Sequence, residues 1–130
     1  VSAPLRAEFA REKGDDLDPV VPEWLTVPDV AQVAGVDQRD VRRWLQEREL
    51  IAVRRGERGV ASVPASFVTP EGPLNHLRGT LSVLADAGFS DTEAIRWLHT
   101  PDDTLPGTPI DALRANRKTE VRRRAQAMGF

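Results

Sequence analysis

The 130-residue chain has no cysteine and no tyrosine, only four phenylalanines, two histidines and one methionine. Without cysteine it can form neither a disulfide nor a thiolate metal site, and a reducing cytosol suits it. His76 and His99 are too far apart in sequence to suggest a local metal site. No activated nucleophile and no phosphate-cradling glycine loop is written into the chain, so neither catalysis nor a bound cofactor is expected. The shortage of aromatic rings removes most of the stacking platform that single-stranded nucleic acid requires. No apolar run approaches membrane-spanning length or the pattern of a signal peptide, which predicts no membrane partner and a cytoplasmic location. Lysine is scarce as well: 16 of the 18 basic residues are Arg, leaving Lys13 and Lys118. That bias suits phosphate and guanine recognition, and equally a GC-rich genome.

What the chain does carry is charge, unevenly placed. The net charge is −2, which argues against a protein that coats nucleic acid indiscriminately. Residues 1–24 hold three basic and six acidic groups, whereas residues 39–58 hold seven Arg against Asp40, Glu47, Glu49 and Glu57. The cationic surface is therefore local. Residues 1–20 have Pro, Gly and mixed charge with few apolar anchors, predicting a flexible acidic tail that opposite charge would draw toward the Arg-rich region. Asp15, Asp16 and Asp18 lack the later Gly and Glu of a calcium loop and read as solvated linker.

Residues 21–68 form the informative unit. Thr26 with Asp29, and Asp37 with Asp40, each place a side-chain acceptor three residues before an acid, close to a capping box and predicting two helix starts. Pro28 fits a first turn, and Gly35 ends the first helix where the backbone needs a positive φ. Ala31, Gly35, Val41 and Trp44 then fall at the spacing of a helix-turn-helix. In the second helix, 38–48, successive side chains rotate by about 100°, which puts Trp44, Leu45 and Arg48 near Val41 and Arg39, Arg42, Arg43 and Gln46 on the other side. The apolar seam is expected against Val30, Ala31 and Val33 or Ala34. Gln38, Arg39, Arg42, Arg43 and Gln46 are the candidate base-edge or phosphate contacts, since Arg can bridge guanine O6 and N7 and Gln adenine N6 and N7. The plain alternative is a solvated helix face.

Leu50 to Val53 and Val60 to Val63 are β-prone runs around 54–59, predicting a two-stranded wing with Arg54, Arg55 and Arg58 at its tip. A cationic tip can reach phosphates or a narrow minor groove; a surface hairpin made soluble by Arg is the alternative. Residues 69–130 read as a helical domain. Thr69 to Pro73 is a loop, and Leu74, Leu77, Leu81, Leu84 and Ala85 share a helix face up to Gly88. Ser90 to Glu93 is a full capping box, and Thr108 with Pro109 opens the last one or two helices. Trp24, Trp44 and Trp97 are expected in the core. Arg117, Lys118, Arg122, Arg123 and Arg124 form a second cluster, either matched to a helix C-terminus or serving as secondary phosphate contacts.

Leu25-Thr26-Val27, Asp29-Val30-Ala31, Gly35-Val36, Val41-Arg42-Arg43-Trp44, Leu50-Ile51 and Val63-Pro64 resemble the winged helix-turn-helix of the MerR and excisionase superfamily. The chain as a whole resembles an actinobacterial DNA-binding regulator family, with Asp91-Thr92-Glu93, Arg96-Trp97-Leu98, Pro109-Ile110-Asp111-Ala112-Leu113 and Arg123 to Met128 carrying the likeness into the second half. The resemblance implies a mainly α fold, with a winged helix-turn-helix followed by a bundle of three to four helices. It also implies duplex DNA as partner, transcription regulation in the nucleoid, and no catalysis. Segment 97–127 is similar to the C-terminal region of toxin-neutralising antitoxins, which implies a surface for a second copy or a protein partner; a protein-interaction module is thus the alternative function. One departure stands out: Glu49 precedes Leu50-Ile51 where relatives often have Gly, which bears on how the second helix ends and on the wing's angle.

Overall fold

The computed structural model describes residues 10–105 and 107–129. Strand β1 (Trp24–Thr26) runs directly into helix α1 (Val27–Ala34). Thr26 caps that helix, its N–H donating to the Asp29 carboxylate at 3.0 Å, and Pro28 occupies the first turn, where no backbone donor is needed. Gly35 ends α1 in the left-handed conformation, φ 67°, and the Val36 N–H returns to the Ala31 carbonyl at 3.0 Å. Three residues later helix α2 (Gln38–Gln46) begins. The second expected capping box does not form. Asp37 makes no cap bond; its carboxylate lies 3.6 Å from Arg39, and that of Asp40 lies 3.3 Å from Arg43. Neighbouring guanidinium groups take both carboxylates before the backbone does.

Val41, Trp44 and Leu45 are buried against Val30 and Ala31, while Val33 faces outward and Ala34 is half-buried. Each buried side chain of this size contributes about 1.5–3 kcal/mol, enough to fix the rotation of α2 about its axis. The helix stops at Gln46, two residues short of the expected end. Arg48 adopts φ 63°, and the N–H groups of Glu49 and Leu50 both return to the Trp44 carbonyl at 2.9 and 3.3 Å. Arg48 thus takes the left-handed position that glycine would fill most easily, at a cost of about 1–2 kcal/mol.

Strands β2 (Val53–Arg55) and β3 (Val60–Pro64) form the wing around a four-residue turn, 56–59, in which Gly56 and Gly59 supply positive φ. Two features differ from expectation. The sheet has three strands in the order β1–β3–β2, with Leu25 opposite Val63 and Arg54 opposite Ala61, because the extended segment before α1 pairs with β3. Arg54 and Arg55 belong to β2 rather than to the tip, since residues 50–52 form a buried connector and the hairpin starts later than predicted.

The larger correction concerns the N-terminus. Residues 1–9 lie outside the described residues, but 10–20 are no flexible tail. The Gly14 N–H donates to the Arg54 carbonyl and the Arg54 N–H to the Glu12 carbonyl, at 2.9 and 2.8 Å, a parallel bridge that lays a strap along the edge of β2. A one-turn 3-10 helix (Asp15–Leu17) follows, with Leu17 fully buried. Apolar anchors were few, but Ala10, Leu17 and Val21 are each inserted into the core.

After the wing, a 3-10 turn (Ala65–Phe67) leads into β4 (Val68–Thr69) and β5 (Gly72–Pro73), a small hairpin where a loop was expected. Helices α3 (Leu77–Asp86), α4 (Asp91–Leu98), α5 (Pro109–Arg114) and α6 (Lys118–Ala127) complete the described fold. Ser90 and Thr108 cap α4 and α5, accepting from the Glu93 and Asp111 N–H groups at 3.2 Å each. One apolar cluster runs from Val30 and Val41 through Val63 and Phe67 to Leu81, Ile95, Leu113 and Val121. The helical half therefore braces the winged half through a shared core.

Candidate nucleic-acid interface

Gln38, Arg39, Arg42, Arg43 and Gln46 are all exposed on α2, the side chains of Val41, Trp44 and Leu45 having claimed the opposite face. The geometry read from periodicity is the geometry found. Two of the three arginines are lightly engaged, Arg39 with Asp37 and Arg43 with Asp40, in exposed pairs. Such pairs are worth up to about 1 kcal/mol and are screened by salt, so an incoming phosphate or base edge can replace them. Arg42 has no ion-pair partner among the described residues.

At its far end α2 is anchored across the fold. Arg48 makes a two-pronged bridge to Asp91 at the start of α4, at 2.9 and 3.2 Å. A planar guanidinium holding both carboxylate oxygens fixes direction as well as distance, and the bridge joins the end of α2 to the helical half.

The wing arginines separate into different roles. Arg58 is exposed in the turn. Arg55 is half-buried, paired with Asp18 and stacked 4.6 Å from the Trp24 ring centroid. Arg54 donates to the Arg11 carbonyl at 3.0 Å. Asp15 accepts from the Gly56 N–H at 2.9 Å, and Asp16 pairs with Arg96 of α4 at 2.9 Å. The acidic residues thus meet the wing and α4, while α2 stays uncovered by them. Glu12 accepts from the Thr92 N–H at 2.9 Å. Burial pushes its carboxyl up, but the hydrogen bonds from Thr92, together with Ser90 and the Arg11 charge, bring it below its ordinary value.

Sequence reasoning missed this strap. One signal for it existed: a Cβ on Gly14 would collide with the Val53 side chain, so glycine is needed for the close approach of strap to wing.

The second basic cluster is dispersed. Arg122 crosses from α6 to α3, donating to the His76 carbonyl at 3.2 Å, and Arg124 donates to the Thr104 carbonyl at 3.1 Å. Arg117 lies 3.7 Å from Glu120. Lys118 and Arg123 remain exposed. His99, at the end of α4, is buried: Nδ1 donates to the Ile95 carbonyl at 2.8 Å, so Nε2 is left to accept from the Ser66 hydroxyl at 2.6 Å. His76 meets Asn116 at 2.8 Å. Of the tryptophans, Trp44 is buried, whereas Trp24 and Trp97 are half-buried, Trp97 edge-on to Phe89. Among the described residues no helix is long and apolar enough to cross a membrane, and no group of three or more His, Asp or Glu is placed to hold a metal.

Two family models match the chain, one on each half. That of the "DNA-binding protein Rv2175c, wHTH domain" covers residues 13–68, and that of the "Rv2175c C-terminal domain of unknown function" covers residues 74–129. The first match begins at Lys13, so the strap from Lys13 onward falls inside the family's winged unit. The chain is 42% identical over 131 residues to the DNA-binding protein Rv2175c of Mycobacterium tuberculosis, covering 90% of this chain and 88% of that protein. The NMR structure of Rv2175c superposes with a TM-score of 0.78 at 37% identity, covering 96% of this chain and 92% of that one. With both halves matched in order and an exposed cationic helix face at the expected place, the chain belongs to the Rv2175c family of winged helix-turn-helix proteins.

Proposed function

We propose that the chain binds duplex DNA and acts in transcription regulation. Helix α2 enters the major groove, presenting Arg39, Arg42 and Arg43 with Gln38 and Gln46 to base edges and phosphates, while the wing tip at Arg58 lies on adjacent backbone or minor groove. The observation that carries this reading is the division of α2 into a face locked in the core and a face of five exposed polar side chains, three of them Arg. The name of the Mycobacterium tuberculosis relative as a DNA-binding protein supports it. Arg54 and Arg55 act one step removed, holding the wing against the strap and Trp24.

The functional division falls near residue 69, with the helical half as brace. Lys118 and Arg123 are its candidates for secondary phosphate contacts, and its outer helices for pairing with a second copy. One copy reads only a short site, so a paired arrangement suits selective occupancy of nucleoid DNA. Kinship of the motif with MerR and excisionase proteins belongs to the same proposal.

The test is fluorescence anisotropy with a duplex selected from a random pool and with a scrambled duplex. Arg42→Ala should weaken the selected duplex by about 1–3 kcal/mol and the scrambled one far less. Equal losses on both would remove base reading by α2.

A further inference from the structure

We propose that the strap and the wing together build a site for a single backbone phosphate of the bound duplex, with Lys13 and Arg58 as its ligands. The inference rests on the DNA-binding reading above and adds to it a residue from outside the helix-turn-helix and wing.

Lys13 forms the parallel bridge with Arg54, so both side chains stand on the same face of the wing sheet, opposite the face where Arg55 covers Trp24. Lys13, Arg54 and Arg58 line one open concavity at the base of the wing turn, together with Asp15, Glu57 and the turn glycines. Three cations against two carboxylates leave the hollow net positive. The carboxylates and cations are not equally available. Asp15 is committed to the Gly56 N–H, and Arg54 to the Arg11 carbonyl. Lys13 and Arg58 are exposed and, like the exposed Glu57 carboxylate, have no ion-pair partner among the described residues, so the free groups of the hollow also sum to a positive charge.

Arg54 therefore serves as a fixed positive charge behind two free ligands. An ammonium and a guanidinium lining one concave surface suit an oxyanion better than a flat base edge, which makes backbone phosphate the occupant that the charge pattern favours. The glycine turn keeps the rim low, so that a rigid duplex can approach.

The site predicts a salt signature. Each phosphate neutralised contributes about 0.9 to the slope of log affinity against log salt, equivalent to roughly eightfold in affinity at 0.1 M relative to 1 M salt. Anisotropy titrations at several salt concentrations would compare the full chain with Lys13→Gln, Arg58→Gln, the double variant and Arg42→Ala. Lys13 and Arg58 are exposed side chains, and the strap bridge is made by backbone, so these variants keep the fold.

Lys13→Gln should flatten the slope by about one and weaken selected and scrambled duplexes alike by up to about eightfold at 0.1 M. Because both ligands share one phosphate, the double variant should lose less than the product of the two single losses. A wild-type slope for Lys13→Gln, or a double variant whose loss equals that product, would overturn the shared site. If Arg42→Ala still discriminates between the duplexes, the DNA-binding reading survives that result. Failure of the unsubstituted chain to bind any duplex would instead remove both.

Discussion

Leu17→Ala distinguishes a structural strap from a tail. Leu17 has no exposed surface, and it lies beside Gly14 in the turn that packs near Val53 and contacts α4. Truncation removes the transfer energy of the lost methyl groups and leaves a cavity that the surrounding sheet and helix cannot easily fill, a loss of about 2–5 kcal/mol. For a domain of ordinary stability, about 5–15 kcal/mol, that is a large share. With an m-value of about 1.5–2 kcal/mol/M, the urea midpoint should fall by about 1–3.3 M with the slope unchanged. Hydrogen exchange supplies the local readout. The Gly14 amide donates to the Arg54 carbonyl and the Arg54 amide to the Glu12 carbonyl, so their protection should fall at least as far as that of the Leu81 and Ile95 amides in the helical half. A change below about 0.5 kcal/mol with the Arg54 amide still protected would refute the argument that the strap is part of the folded unit.

Arg48 combines backbone strain with a bridge, and the two can be separated. Arg48→Ala keeps the left-handed strain and loses the Asp91 contact, whereas Arg48→Gly loses the contact but relieves the strain, so the glycine variant should be more stable by about 1 kcal/mol in urea unfolding. Equal stabilities would show that φ 63° costs nothing there. His99 sets a pH dependence. Burial, more than offsetting the Ile95 hydrogen bond and the Asp111 charge, holds its imidazole below its ordinary value. Between the folded and unfolded values the unfolded chain binds the extra proton, so stability should fall as pH drops below about 6.5 and level off only below the folded value. His99→Gln should flatten that fall in urea midpoints compared at pH 7.5 and 5.5, and an unchanged pH profile would exclude His99 as its source.

Much of the recognition unit was legible because its determinants are local. Thr26, Pro28 and Gly35 mark helix ends through backbone geometry that any chain obeys. The rotation of α2 follows from where Val41, Trp44 and Leu45 fall in a 3.6-residue period, which is why the exposure of Gln38, Arg39, Arg42, Arg43 and Gln46 matched the periodic reading. The wing was harder. Its two runs were visible, but β propensity does not fix register, and the hairpin moved so that Arg54 and Arg55 left the tip. Asp37 and Asp40 misled for another reason: a capping box and an ion pair with a following Arg use the same carboxylate, and spacing alone does not rank them.

The amino-acid order by itself thus determined the helix-turn-helix, the polar face of α2 and the helical character of the second half, since caps, turns and periodicity act within a few residues. Tertiary structure alone decided which cations are free. Arg55 is bound by Asp18, Arg48 by Asp91 and Arg54 by the Arg11 carbonyl, across separations of 37 to 43 residues. Charges pair with what the fold brings near, and that proximity is set by the packing of Leu17, Val53 and Ile95 into one core rather than by any pattern along the chain.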